Sequence, residues 1–180
     1  AIIIKGKNMY SISIYFDENT EKKMKGYMNQ IAKKSGDFAM IEGNVPPHIT
    51  VSAFAAVSEK EAKDIFERVA GKIKSGKIYW VSIAAFFSQV IYLSPVLNEY
   101  LHQISEITYK EVTQSENVIL KGHHEPFAWM PHGTLAKYLT EEQMRTAFEV
   151  LQKQFAPFES KVVKIGLART NPYEDLIVRE

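Results

Sequence analysis

The sequence predicts an α+β chain of two lobes, each packing helices on an antiparallel sheet. Three observations carry that expectation. Strand and helix patterns recur in one order through both halves. Two helices open with capping-box spacing. The segment Pro-His-x-Thr occurs twice, nearly half a chain apart, as Pro47-His48-Ile49-Thr50 and Pro131-His132-Gly133-Thr134.

The first strand is Tyr10 to Phe16, where Ile12, Ile14 and Phe16 alternate with Ser11, Ser13 and Tyr15, the period of a half-buried strand. Met24, Tyr27, Met28, Ile31 and Ala32 then form one apolar stripe, predicting a helix from about Thr20 to Lys34 with Gly36 as its stop. Phe38 to Ile41 is expected as a short strand and Gly43-Asn44 as a turn. Alternation from His48 to Phe54 predicts a strand. Ser58 and Glu61 have capping-box spacing, opening a helix that buries Ala62, Ile65, Phe66, Val69 and Ile73.

The second half repeats this order. Strands are expected within Lys77 to Phe87 and over Val90 to Leu93. Ser94-Pro95 reads as an N-cap followed by proline at the first helical position, for a helix carrying Leu97, Leu101 and Ile104. Gln114 to Phe127 reads as a polar loop, and Trp129 to Tyr138 as a strand. Thr140 and Gln143 make a second capping box, before a helix presenting Met144, Ala147, Phe148, Leu151 and Phe155. Strands over Lys161 to Ala168 and Asp175 to Val178, joined by a Thr170-Asn171-Pro172 turn, complete the pattern.

Composition bounds the function. The chain has 180 residues, enough for one domain or two closely packed lobes over residues 1–180, with 1–8 either an extension ahead of Met9 or an edge strand. It has no cysteine, which excludes disulfides, thiolate chemistry and Cys-ligated metals and fits a cytoplasmic protein. The net charge is +1, too small for a generic polyanion binder, so any nucleic-acid contact should be local: a nucleotide or a short RNA end. Ile78 to Leu93, the most apolar stretch, is broken by Ser82, Ser88 and Gln89, and no membrane span or signal peptide is expected. No protein partner is evident, and a monomer is expected. No Gly-rich phosphate loop follows any strand.

The chemistry lies in the paired segments. Residues two apart on a strand point the same way, roughly 6.5–7 Å apart. His48 and Thr50 should therefore share a face, with Ser52 and Phe54 further along; His132 and Thr134 should share another, with Ala136 and Tyr138. Lys137 falls on the opposite face in this scheme. One imidazole can act as general base and the other as general acid at a phosphodiester. The threonine hydroxyls can donate to phosphate oxygens. Phe54 and Tyr138 are candidates for stacking on a base. No carboxylate stands within either segment, so no metal and no other cofactor is expected. Lys137 and Arg169 are further candidates for phosphate contact. Lys121-Gly122-His123-His124-Glu125 reads either as a solvated loop or as a flap over the cleft. His102 is expected at the surface, and Tyr10, Tyr15, Trp80 and Trp129 in the core or on sheet faces.

The segments His48-Ile49-Thr50-Val51 and His132-Gly133-Thr134-Leu135 resemble the two His-x-Thr/Ser motifs of the 2H phosphoesterases, specifically the 2′-5′ RNA ligase-like and cyclic phosphodiesterase members. YSISIYF, VIYLSPVLNEYLHQI and WMPHGTLAKYL are similar to that family's flanking elements, so the resemblance covers Met9 to Glu180. Gly133 is smaller than the apolar residue usual between the second His and Thr. The resemblance implies a bilobal, pseudo-twofold fold with a central cleft. It also implies metal-free hydrolysis or ligation at 2′,3′-cyclic phosphates or 2′-5′ linkages, with His48, Thr50, His132 and Thr134 as site residues. The alternative is a non-catalytic RNA-end or nucleotide-binding protein that keeps the cleft.

Overall fold

A computed structural model describes residues 8–87, 89–170 and 172–180. The expected extension over 1–8 lies outside the described residues except for Asn8, and the 170–172 turn does so at Asn171.

The strand β1 (Asn8–Phe16) is buried from Tyr10 onward on both faces, not half-buried as its alternation suggests. Tyr10, Ile12, Ile14 and Phe16 enter the core. Ser11, Ser13 and Tyr15 face the other way and are covered too, since β1 lies between neighbouring strands and floors a cleft. Helix α1 (Glu18–Ser35) follows at once. The Asp17 carboxylate accepts the Thr20 amide at 3.0 Å, and Gly36 takes the left-handed C-cap at φ 74°.

Phe38 to Ile41 is not a strand. Ala39–Glu42 forms one helical turn, α2, because the Phe38 carbonyl accepts the amides of Ile41 and Glu42. Strand β2 (His48–Ala56) carries the first Pro-His-x-Thr segment, and helix α3 (Glu59–Ala70) follows. Ser58 caps α3 as expected, accepting the Glu61 amide at 3.1 Å; Glu61 reaches back to the Val57 amide instead of that of Ser58.

Strands β3 (Gly76–Phe86) and β4 (Val90–Pro95) form a hairpin. Pro95 ends β4 opposite Trp80 and does not start a helix. Asn98 is the true N-cap of α4 (Glu99–Thr113): its side chain accepts the Leu101 amide at 2.9 Å and donates to the Lys77 carbonyl at 2.8 Å. The stretch expected to be all loop contains a short edge strand, β5 (Ile119–Lys121), paired with β2. Strand β6 (Gly133–Ala136) is shorter than expected, with His132 immediately before it. Helix α5 (Glu141–Gln152) has both capping-box bonds, and Phe148 stands largely on its exposed side. Strands β7 (Phe158–Arg169) and β8 (Glu174–Arg179) complete the described fold.

The antiparallel α+β class is as expected, but the two expected sheets are one eight-stranded sheet, β5-β2-β1-β7-β3-β4-β6 with β8 also on β7. Strand β7 makes the join. β1 runs along one edge from Val162 to Arg169. Along the other edge β3 takes Phe158 to Val162 and β8 takes Ile165 to Arg169. The helices cross between halves: α1 packs on α5 and reaches β6, while α4 packs on α3 and reaches β2. Each Pro-His-x-Thr strand thus rests on a helix from the other half of the sequence.

Candidate active site

Each histidine is locked by its own chain. His48 Nδ1 lies 2.8 Å from the Pro46 carbonyl, and His132 Nδ1 lies 2.9 Å from the Met130 carbonyl. A carbonyl only accepts, so both rings carry the proton on Nδ1 and present Nε2 outward. Pro47 and Pro131 stand between each carbonyl and its histidine. Proline fixes φ and biases the residue before it toward extended backbone, which sets each carbonyl for the bond.

Both motif strands break their pairing at the same point. Ile12 pairs with Ser52 and Ser13 with Thr50, leaving Val51 as a bulge. Ile91 pairs with Ala136 and Tyr92 with Thr134, leaving Leu135 as the equivalent bulge. A bulge adds one residue and so reverses the inside–outside alternation beyond it.

That reversal corrects several expectations. Phe54 does not share the face of His48; it is fully buried and packs on Tyr10 with ring centroids 6.1 Å apart. Ser52 is buried as well. Phe54 is therefore not placed to stack on a ligand between the histidines. Tyr138 is 68% exposed with φ 63°, and its ring carries the Lys137 ammonium 5.1 Å from its centroid. Lys137 moves onto the cleft face instead, as the counterpart of Ala53 in the first motif.

A cavity of about 330 Å³ is lined by Ser11, His48, Thr50, Thr134, Lys137 and Tyr173, among others. It brings the first histidine and both threonines together. Ser13 Oγ lies 3.4 Å from Thr50 Oγ1. Tyr15 pairs across β1 with His48, their rings 6.2 Å apart. His132 borders a second cavity of about 320 Å³, with its ring against Phe86 at 4.9 Å and Tyr92 at 5.2 Å. Charge on His132 disfavours charge on His48.

Burial holds both imidazoles below the ordinary histidine range. The carbonyl bonds work upward in each case. His48 is pushed further down by His132 and Lys137 and drawn up by Asp175. Both rings therefore rest neutral near pH 7. Among the described residues no three His, Cys, Asp or Glu side chains converge as a metal-ligand set.

Gly133 has a steric cause. A Cβ there would stand 2.7 Å from Met24 Cε and 2.9 Å from Trp80 Cη2. Trp80 cannot retreat, since its Nε1 donates to Ser160 Oγ at 2.7 Å in the core. Tyr10, Tyr15, Trp80 and Trp129 are all buried, as expected.

Arg169 is not free for a phosphate; it pairs with Glu59 at 2.5 Å and Glu174 at 2.6 Å. His102 is half-buried under Phe127, ring centroids 5.3 Å apart, not solvent-borne. Of the 121–125 segment, His123 and His124 border the cavity beside His132. Tyr173 was not singled out by the sequence. It reaches the cleft from the β7–β8 hairpin, where its hydroxyl donates to Asp175 at 2.7 Å.

Among the described residues no helix is long and apolar enough to cross a membrane. A family model of the 2′-5′ RNA ligase superfamily matches residues 29–174. The fold is similar to a crystal structure described as a phosphoesterase, with TM-score 0.63 and 14% identity over 96% of this chain and 97% of that one. It is also similar to E. coli LigT complexed with 3′-AMP, with TM-score 0.65 and 13% identity over 96% and 97%. LigT complexed with phosphate gives 0.60 and 12% over 97% and 98%. No curated protein sequence matches the chain. At these identities the structural likeness establishes the fold, whereas the family match covers most of the chain and takes in both Pro-His-x-Thr segments. The chain belongs to the 2′-5′ RNA ligase superfamily, among the 2H phosphoesterases.

Proposed function

We propose that this chain is a metal-independent phosphoesterase that opens 2′,3′-cyclic phosphates or 2′-5′ linkages of RNA ends and nucleotides, with His48 and His132 as its general acid–base pair. The observation that carries this reading is the shared anchoring of the two rings. Each Nδ1–H is bound to the carbonyl two residues back, which leaves two Nε2 atoms for proton transfer. Nucleotide and phosphate ligands in the similar E. coli LigT structures agree with it.

The reaction balances without a cofactor. One neutral Nε2 takes a proton from water as its oxygen bonds to phosphorus. The protonated Nε2 of the other ring gives its proton to the departing ribose oxygen as the P–O bond breaks. A phosphate anion in the cleft favours the imidazolium that burial alone disfavours, so substrate itself supplies the acid form. Thr50 and Thr134 donate to the non-bridging oxygens, and Lys137 offsets their charge. The two histidines exchange roles when the reaction runs backward.

The test is turnover of adenosine 2′,3′-cyclic phosphate by wild type, His48→Ala and His132→Ala, followed by chromatography. Each variant should lose about 100- to 10,000-fold in kcat while keeping its melting temperature within a few degrees. EDTA should leave wild-type activity intact. Full activity in either variant would remove the pair from the mechanism.

A further inference from the structure

We propose that the cavity beside His132, walled by Phe86, Trp129 and Met130 and edged by His123 and His124, is a nucleobase subsite in which His124 reads the edge of the base. The inference rests on the phosphoesterase reading and adds which part of the substrate is recognised, and where.

The cavity measures about 320 Å³, and His132 borders it. A ligand with its phosphate at His132 would thus have the neighbouring space open to its base. That volume lies at the small end of ordinary ligand sites, which span about 300–1,000 Å³. The walls are apolar, and two of them are held in place. Phe86 is clamped between Tyr92, at 4.5 Å, and His132, at 4.9 Å. Trp129 is buried, with its indole N–H tied to Thr50. A flat aromatic base matches such walls, because every base offers a π-face to stack.

The polar edge is built by the loop before the second motif. Gly122 turns the chain at φ 70°, and a Cβ on it would stand 3.3 Å from the His124 ring, so that ring folds back over the glycine. The amides of Ala128 and Trp129 both donate to the Glu125 carbonyl, closing the loop. His124 Nδ1 is buried without a hydrogen-bond partner. Buried polar atoms are nearly always paired, and this one, packed over Gly122, gains a partner when the ring turns toward a bound base.

A second phosphate fits this cavity poorly. Among the described residues no lysine or arginine lines it. Burial also keeps the His124 imidazole below its ordinary range, so the ring is neutral. A neutral imidazole offers one donor and one acceptor, the complement of a base edge.

The experiment compares kcat/KM for adenosine 2′,3′-cyclic phosphate with that for 1-O-methylribose 2′,3′-cyclic phosphate, which has no base. Wild type should prefer the adenosine substrate by about ten-fold or more, the worth of one stacked base. That ratio should fall toward one in His124→Ala. It should fall likewise in Ala128→Phe, which fills the cavity and removes no group; thermal melting checks that both variants fold. A ratio near one in wild type, or an undiminished ratio in both variants, overturns the subsite and leaves the phosphoesterase reading standing. Titration with 3′-AMP and with inorganic phosphate separates the two ideas. If wild type turns over neither cyclic phosphate, the phosphoesterase reading fails. The subsite then stands if 3′-AMP binds more tightly than phosphate and Ala128→Phe abolishes the difference, and falls if there is no difference to abolish.

Discussion

The indole Nε1 of Trp129 donates to the backbone carbonyl of Thr50 at 3.1 Å, tying the approach to the second histidine motif to the strand of the first. Strand β5 covers only Ala53 to Ala55 on the outer edge of β2. Trp129 satisfies the carbonyl that β5 does not reach. The bond ties the segment before His132 to the strand of His48, and it is expected to help set the spacing between Thr50 and Thr134.

Trp129→Phe keeps the ring in place but leaves that carbonyl without its donor. The expected cost is about 1–2 kcal/mol. In a chain of this size that lowers the melting temperature by about 2–4 °C per kcal/mol. Turnover should suffer more than affinity, because displaced phosphate donors matter most at the transition state. Thermal melting and steady-state kinetics check both points. Wild-type kcat in a stable variant would show that the tether does not set the cleft.

Gly133 and Ile49 occupy equivalent places in the two motifs yet obey opposite size rules. Ile49 is fully buried and fills its site, so Ile49→Ala should cost about 2–5 kcal/mol through the cavity it leaves. At Gly133 even one methyl collides with Met24 Cε and the Trp80 ring. Gly133→Ala should cost about 1–3 kcal/mol and displace His132, lowering kcat. Met24 is the yielding partner, since the contact is the end of a flexible side chain, whereas Trp80 is pinned by Ser160. In the Met24→Ala background the Gly133→Ala change should therefore cost less, and urea unfolding of the four proteins gives that coupling directly. Additive costs would mean that Met24 is not the obstacle.

The same comparison shows what the sequence makes legible. The histidine and threonine of each motif sit before the bulge, where strict alternation holds, and their shared face is readable from spacing alone. Phe54, Tyr138 and Lys137 lie beyond it. The bulge is set by pairing to β1 and to β4, a non-local contact, so every face assigned past Val51 and Leu135 inverts. The start of α4 failed for a related reason. Ser94-Pro95 has the local chemistry of an N-cap, but pairing with Trp80 holds Pro95 in β4 and passes the cap to Asn98. The four residues of α2 and the three of β5 are too short for periodicity to identify. Helices α1, α3 and α5 were readable because their caps and stripes are local.

Acid sensitivity follows from the partly buried imidazoles. His48, His124 and His132 are all held below the ordinary histidine value, with burial the leading cause. In the unfolded chain each titrates near about 6.5. Above that pH both states are neutral and stability does not change. As pH falls through it, the unfolded chain gains protons that the folded chain refuses, so stability declines. The melting temperature should be level from about pH 7 to 8 and should drop steadily below about 6.5. Sulfate keeps its charge over this range and should favour the imidazolium in the cleft, so it should raise the melting temperature more at about pH 5.5 than at about pH 8. His48→Ala should shrink that difference. Lys137→Met should weaken the sulfate effect at both pH values and move the His48 titration upward, because Lys137 pushes that ring down. Thermal melts across pH, with and without sulfate, and NMR titration of the ring protons measure each shift. An equal sulfate effect at the two pH values would mean that the anion does not meet the histidines.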